Sequence, residues 1–136
     1  MSQRVLLVED DVWLRELYAD AFTDVEIELA ASAEEALAIL DQVPIDLVVL
    51  DMFLPGHNGV EFLHEIASYE DTAQLPAIVL SAVAPHEMGL DQKRMRHYQI
   101  VAYLYKPEVK PVELARRVKQ VLLERETQVP LTKKEV

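Results

Sequence analysis

Short apolar runs alternate with segments of helical periodicity five times along this chain, and that alternation constrains its fold most. Each run is bounded by turn or charged residues, the pattern of a buried strand. Strand one is expected at Arg4 to Glu9, with Val5-Leu6-Leu7-Val8 as its buried part. The second, Val25 to Ala31, alternates Val25, Ile27 and Leu29 with Glu26 and Glu28, which suits a half-exposed edge strand. Leu47-Val48-Val49-Leu50 leads into Asp51, Pro76 to Ser81 makes the fourth strand, and Ile100 to Tyr105 the fifth.

The intervening segments carry helix signals. Leu14, Leu17, Tyr18 and Ala21 line one helical face. Ser32-Ala33-Glu34-Glu35 is a capping box opening a second helix through Leu37 and Leu40, which stops before Pro44. A third helix is expected from about Asn58 through Phe62, Leu63 and Ile66. A fourth starts near Pro85, and a last from about Pro111 uses Leu114, Val118, Val121 and Leu122 as its core face. Strands separated by single helices pair in parallel through right-handed crossovers, giving a doubly wound α/β domain around a five-stranded parallel sheet. The length of 136 residues suits one domain, placed at residues 1–125, with 126–136 as a frayed tail or linker stub.

Composition narrows the function. The absence of cysteine excludes disulfides, thiolate catalysis and Cys-based zinc sites, and suits a cytoplasmic protein. The first apolar run is far too short for a signal peptide or a membrane span. A net charge of −11 argues against direct nucleic-acid binding, which needs cations to neutralise phosphates.

Asp51 is the most informative single residue. A carboxylate at the carboxyl end of a buried parallel strand emerges into the crevice where open α/β sheets bind their ligands. Glu9-Asp10, Ser81 and Lys106 stand at the ends of three other strands, and Pro55, Gly56 and Gly59 form a turn just after Asp51. Singly, each has an ordinary explanation: acids cap helix N-termini, and Ser81 and the Lys106-Pro107 pair could be simple strand-end and turn residues. Together they place an acidic metal site, a hydroxyl and an ammonium around one carboxylate, which suits uptake of a phosphoryl group. His57, His64, His86 and His97 are not spaced as a metal set and read as surface residues.

Leu6-Leu7-Val8-Glu9-Asp10-Asp11, Leu50-Asp51-Met52-Phe53-Leu54-Pro55-Gly56, Leu80-Ser81-Ala82 and Lys106-Pro107 resemble the receiver domain of bacterial response regulators in two-component signalling. The resemblance runs from about Arg4 to Glu124. It implies the flavodoxin-like strand order 2-1-3-4-5. It also implies Asp51 as phosphoacceptor and Mg²⁺ held by Glu9, Asp10, Asp51 and the Phe53 backbone carbonyl, with Glu9 acting through a metal-bound water. Lys106 and Ser81 would hold the phosphoryl group, Tyr103 would be the switch aromatic, and the Lys106–Pro107 bond would be cis. Gly59 would permit a tight turn beside the site. The implied partners are a histidine kinase or histidine phosphotransfer protein and a downstream protein effector, with a homodimer left open and no direct nucleic-acid or membrane contact. The chain would catalyse only its own phosphorylation and dephosphorylation.

Three rivals compete with this reading. A phosphatase of the haloacid dehalogenase type needs a second Asp two residues after the first, and Phe53 stands there. A flavodoxin-type cofactor protein needs a Ser/Thr/Gly-rich phosphate loop after strand one, which is missing. A phosphorylation-independent pseudo-receiver, acting as a binding module, is the remaining alternative; such proteins usually lose the acid pair, the acceptor or the lysine, and all are kept here. The chain departs from the receiver pattern where a Gly-Ala pair is usual before the switch aromatic and Gln99-Ile100 stands instead. Lys93, Arg94, Arg96 and His97 form a basic cluster nearby, read as the solvated side of an amphipathic helix. Phe53 and Val83 would flank the path of a hydrolytic water.

Overall fold

A computed structural model describes residues 3–54 and 56–135, with the side chains of His57 and of residues 127–135 not described. Strands β1 (Arg4–Val8), β2 (Glu26–Ala30), β3 (Leu47–Asp51), β6 (Ala77–Ser81) and β7 (Ile100–Tyr105) form one parallel sheet in the order β2-β1-β3-β6-β7. Counting those five strands alone, the order is the expected 2-1-3-4-5, with β2 at one edge. A two-stranded antiparallel pair, β4 (Phe53–Leu54) and β5 (His57–Asn58), was not foreseen. Its strands are too short to leave a periodic signal. Pro55, expected in this turn, lies outside the described residues.

Side chains alternate across the sheet, so each central strand feeds two cores. Leu6, Val8, Val48, Leu50, Ala77 and Val79 pack on one face with α2 (Ala33–Gln42) and α3 (Gly59–Ala67). Val5, Leu7, Leu47, Val49, Ile78 and Leu80 pack on the other with α1 (Val12–Ala21) and α5 (Pro111–Glu135), where Leu114, Val118, Val121 and Leu122 are buried as expected. Each fully buried aliphatic side chain contributes about 1.5–3 kcal/mol, which makes the central strands the rigid part of the fold. Side-chain caps start the helices. Asp11, Ser32, Asn58 and Asp91 accept from the backbone N–H groups of Leu14, Glu35, Glu61 and Arg94. In the box at Ser32, the Glu35 carboxylate reaches back one residue further, to the N–H of Ala31 at 2.6 Å.

Several expectations need correction. Leu17 is 51% exposed, because α1 buries Tyr18 instead. The fourth helix does not run on from Pro85. A short 3₁₀ turn, Pro85–Met88, ends at Gly89 in a left-handed conformation (φ 71°), and α4 is only Gln92–His97. The backbone of α5 continues to Glu135, through the segment expected as a frayed tail. Gly59 is needed for close packing rather than for a turn: a Cβ there would lie 2.7 Å from Met52 Sδ and 3.0 Å from Met52 Cα. Gly56, at φ 78°, is the residue that turns the chain.

Gln99 takes the left-handed conformation at φ 59°, at the position where a glycine was expected by resemblance. That geometry costs a side-chain-bearing residue roughly 1–2 kcal/mol, against about 0.5–1 kcal/mol of extra chain entropy lost by glycine. Gln99→Gly should therefore raise the unfolding free energy by about 0.5–1 kcal/mol. Urea denaturation checks this, and an unchanged or lower stability would contradict it. Gly59→Ala should instead lower stability by about 1–3 kcal/mol through overpacking against Met52 in the same assay.

Candidate functional site

The parallel register delivers the expected residues to one end of the sheet. Val8 pairs with Leu50, Asp51 with Leu80, and Ser81 with Tyr105, so Glu9, Asp51, Ser81 and Lys106 cluster at the carboxyl ends of four adjacent strands. Glu9, Asp51 and Ser81 are buried, although the core around them is otherwise apolar.

Lys106 ties the acids together. Its Nζ donates to Asp51 Oδ2 at 2.7 Å and lies 2.9 Å from Glu9 Oε1. The second contact is an ion pair, and Glu9 Oε1 is buried with no further hydrogen bond beside it. Burial pushes the Glu9 carboxyl above its usual range, opposed by Lys106 and by the Asp11 N–H. Burial would lower the Lys106 ammonium, but its contacts with Asp51 and Glu9 outweigh that and hold it above the usual lysine range.

The other Asp51 oxygen, Oδ1, accepts from the Phe53 N–H at 3.1 Å, and Glu9 Oε2 accepts from the Asp11 N–H at 3.1 Å. Asp10 is exposed, and one carboxylate oxygen from each of Glu9, Asp10 and Asp51 lies within 4.8 Å of the others. Three hard anionic oxygens, one from each acid, suit a divalent cation that prefers oxygen ligands. The donor set therefore fits a metal.

Ser81 Oγ accepts from the Val83 N–H at 3.1 Å, fixing the turn beyond β6. Tyr103 is half-buried and donates from its hydroxyl to the Val83 carbonyl at 2.9 Å, so it grips the same turn that carries Ser81. Burial pushes the Tyr103 hydroxyl upward. Phe53 is 49% exposed at the rim. The Lys106–Pro107 bond, expected cis, is trans, like the other peptide bonds among the described residues. Lys106–Glu108 close a 3₁₀ turn there, and trans is the lower-energy isomer of an X–Pro bond.

Of the histidines, His64, His86 and His97 are exposed, and none joins a metal-ligating group among the described residues. The basic cluster lies on the exposed α4, where cations complement the carboxyl end of the helix. Sequence reasoning missed Arg15, whose Nη1 donates to the Glu9 carbonyl at 2.9 Å. A helical arginine six residues from an acid carries no recognisable spacing signal.

A family profile described as "Response regulator receiver domain" matches residues 5–119. The chain belongs to the response regulator receiver domain family. It is 37% identical over 107 residues to the transcriptional regulatory protein MalR of Bacillus subtilis, covering 76% of this chain and 43% of that protein. It is 31% identical over 129 residues to the phosphate regulon transcriptional regulatory protein PhoB of Escherichia coli, covering 90% of this chain and 52% of that one. The chain thus spans about half the length of these curated relatives. A receiver domain protein from Methanospirillum hungatei superposes with a TM-score of 0.81 at 26% identity, covering 94% of this chain and 99% of that one. As a receiver domain the chain is not a typical enzyme. No helix among the described residues is long and apolar enough to cross a membrane.

Replacing Ser81 by Ala should leave the ion pairs intact but free the Val83 N–H, loosening the turn that Tyr103 grips. Amide exchange at Val83 should rise in Ser81→Ala while exchange in β1 and β3 stays unchanged. Equal protection in both proteins would contradict this role.

Proposed function

We propose that this receiver domain accepts a phosphoryl group on Asp51 from a phosphohistidine of a histidine kinase or histidine phosphotransfer protein. The observation that carries the reading is the convergence of Asp51 with Glu9, Asp10 and Lys106 at one sheet end. In the transfer, an Asp51 carboxylate oxygen forms a bond to phosphorus while the phosphorus–nitrogen bond to the donor imidazole breaks. Two anions must approach each other, so charge has to be neutralised first.

Glu9, Asp10 and Asp51, with the Phe53 backbone carbonyl, would hold Mg²⁺, and Glu9 would act through a metal-bound water. When bound, Mg²⁺ supplies positive charge that offsets the repulsion between the carboxylate and the donor phosphoryl oxygens. Lys106 moves its ammonium from Asp51 Oδ2 to a phosphoryl oxygen, acting as a point charge. Ser81 donates its hydroxyl to another, giving up its contact with the Val83 N–H. Tyr103 grips the Ser81–Val83 turn, so that exchange shifts the balance between two conformations of the surface around Tyr103 and α4, and a protein effector reads the favoured one. The two curated relatives are named as transcriptional regulators, which favours an effector that controls transcription. The acidity of this chain favours delivery of that output through protein contacts rather than its own DNA binding.

Intact-mass measurement after incubation with Mg²⁺ and acetyl phosphate tests the acceptor. The native chain should gain one phosphoryl group, whereas Asp51→Asn, or the native chain in excess chelator, should gain none. Equal uptake by Asp51→Asn would overturn the assignment. Phe53 and Val83 flank the route of a hydrolytic water with apolar groups, and slow loss of the phosphoryl group should follow. Phe53→Asn with Val83→Glu should speed dephosphorylation by about tenfold or more, since a placed carboxylate can orient the water. Unchanged decay of the phosphorylated protein would remove that role.

A further inference from the structure

Arg15 sits one turn into α1, outside both the metal set and the phosphoryl cradle, yet it is bound to the backbone that joins the acid pair. Its Nη1 donates to the Glu9 carbonyl at 2.9 Å, just beyond the end of β1. Glu9 is also held through its own N–H, which donates to the Ala30 carbonyl at 3.0 Å, and through Oε2, which accepts from Asp11. Asp10 is different. It is exposed, and among the described residues no hydrogen bond or ion pair restrains its carboxylate. The backbone alone therefore decides where that carboxylate starts.

The Glu9 carbonyl and the Asp10 N–H belong to one planar peptide unit. Arg15 restrains that unit through the Glu9 carbonyl, and Glu9 Oε2 restrains the next one through the Asp11 N–H, so both peptides flanking the Asp10 Cα are held, and with them the direction in which its Cα–Cβ bond leaves. We infer that Arg15 is a positioning residue that clamps the Glu9–Asp10 peptide so that the Asp10 carboxylate stays convergent with Glu9 and Asp51. The inference rests on the reading of this acid set as a divalent-metal site. Arg15 itself is anchored by α1: its N–H donates to the Asp11 carbonyl at 2.9 Å, and the Asp11 side chain caps the same helix. The clamp therefore joins the helix start to the strand end across the two acids.

The sign of the effect separates this role from a simple electrostatic one. A guanidinium acting only as a nearby positive charge opposes cation binding, so its removal would tighten the site. A guanidinium that orders the ligands does the reverse. Outer partners of metal ligands typically account for about 10–100-fold in affinity.

The test is calorimetric titration of Mg²⁺ into the full chain and into Arg15→Met and Arg15→Lys, with urea unfolding in chelator as the control for folding. Methionine keeps the aliphatic stem and the helix propensity but removes the donor. Arg15→Met should bind Mg²⁺ about tenfold more weakly or worse. Arg15→Lys, which keeps a donor on a flexible stem, should recover part of that loss. Unchanged or tighter Mg²⁺ binding by folded Arg15→Met would overturn the inference while leaving the metal site standing. An absence of Mg²⁺ binding by the native chain would overturn both.

Discussion

A single ammonium compensates two buried carboxylates, and the architecture of the site depends on that balance. Glu9 and Asp51 stand on neighbouring strands at the dry end of the sheet, where burial disfavours charge and like charges repel. Lys106 reaches both, at 2.9 and 2.7 Å. Its position follows from the end of β7, two strands from β3, so the four adjacent strands β1, β3, β6 and β7 must be in register for the site to exist. Such a set is a poor source of stability, because desolvation consumes most of the Coulomb energy. It is a good place to receive a new charge. On the proposed reading, a divalent cation and a phosphoryl group would take over the partners that the three side chains now find in one another.

On the proposed reading, the fold would turn this balance into a signal because its rigid and yielding parts meet at the site. The central strands β1, β3 and β6 are buried on both faces and hold Asp51 still. Beyond β6 the chain is a turn, a short 3₁₀ segment, a left-handed glycine and a six-residue helix with no fully buried residue. Ser81 belongs to the rigid strand, and Tyr103 holds the carbonyl of Val83 at the start of the yielding part. A hydrogen bond gained or lost at Ser81 is thereby felt at the start of a segment whose short helix buries none of its own residues.

Much of this was legible in the sequence because a few local rules determine it. Apolar runs of four or five residues gave the buried strands, and a polar residue closing each run gave the contents of the site. The Glu26 and Glu28 alternation placed the edge strand. The rest depends on three-dimensional proximity or on turn geometry. Gly59 looked like a turn residue, and only the packed structure shows Met52 occupying the space of its missing side chain. Leu17 fits the helical pattern of α1 yet faces outward, since the stripe that packs is set by Tyr18. Gly89 broke the fourth helix into two pieces, which a periodicity window smooths over. Arg15 carries no sequence signal, because its partner is a backbone carbonyl that any residue would supply.

The charge balance at the acid site is tested most directly by the unfolding free energy of Lys106→Met beside the native chain, each in chelator and in saturating Mg²⁺. In chelator the variant should be less stable by about 2–3 kcal/mol, below the about 3–5 kcal/mol of a fully buried pair because the lysine side chain keeps 22% exposure. Mg²⁺ should then stabilise the variant more than the native chain, since the cation no longer competes with the ammonium for the same oxygens. A Lys106→Met protein as stable as the native chain in chelator, and no more responsive to Mg²⁺, would contradict the account.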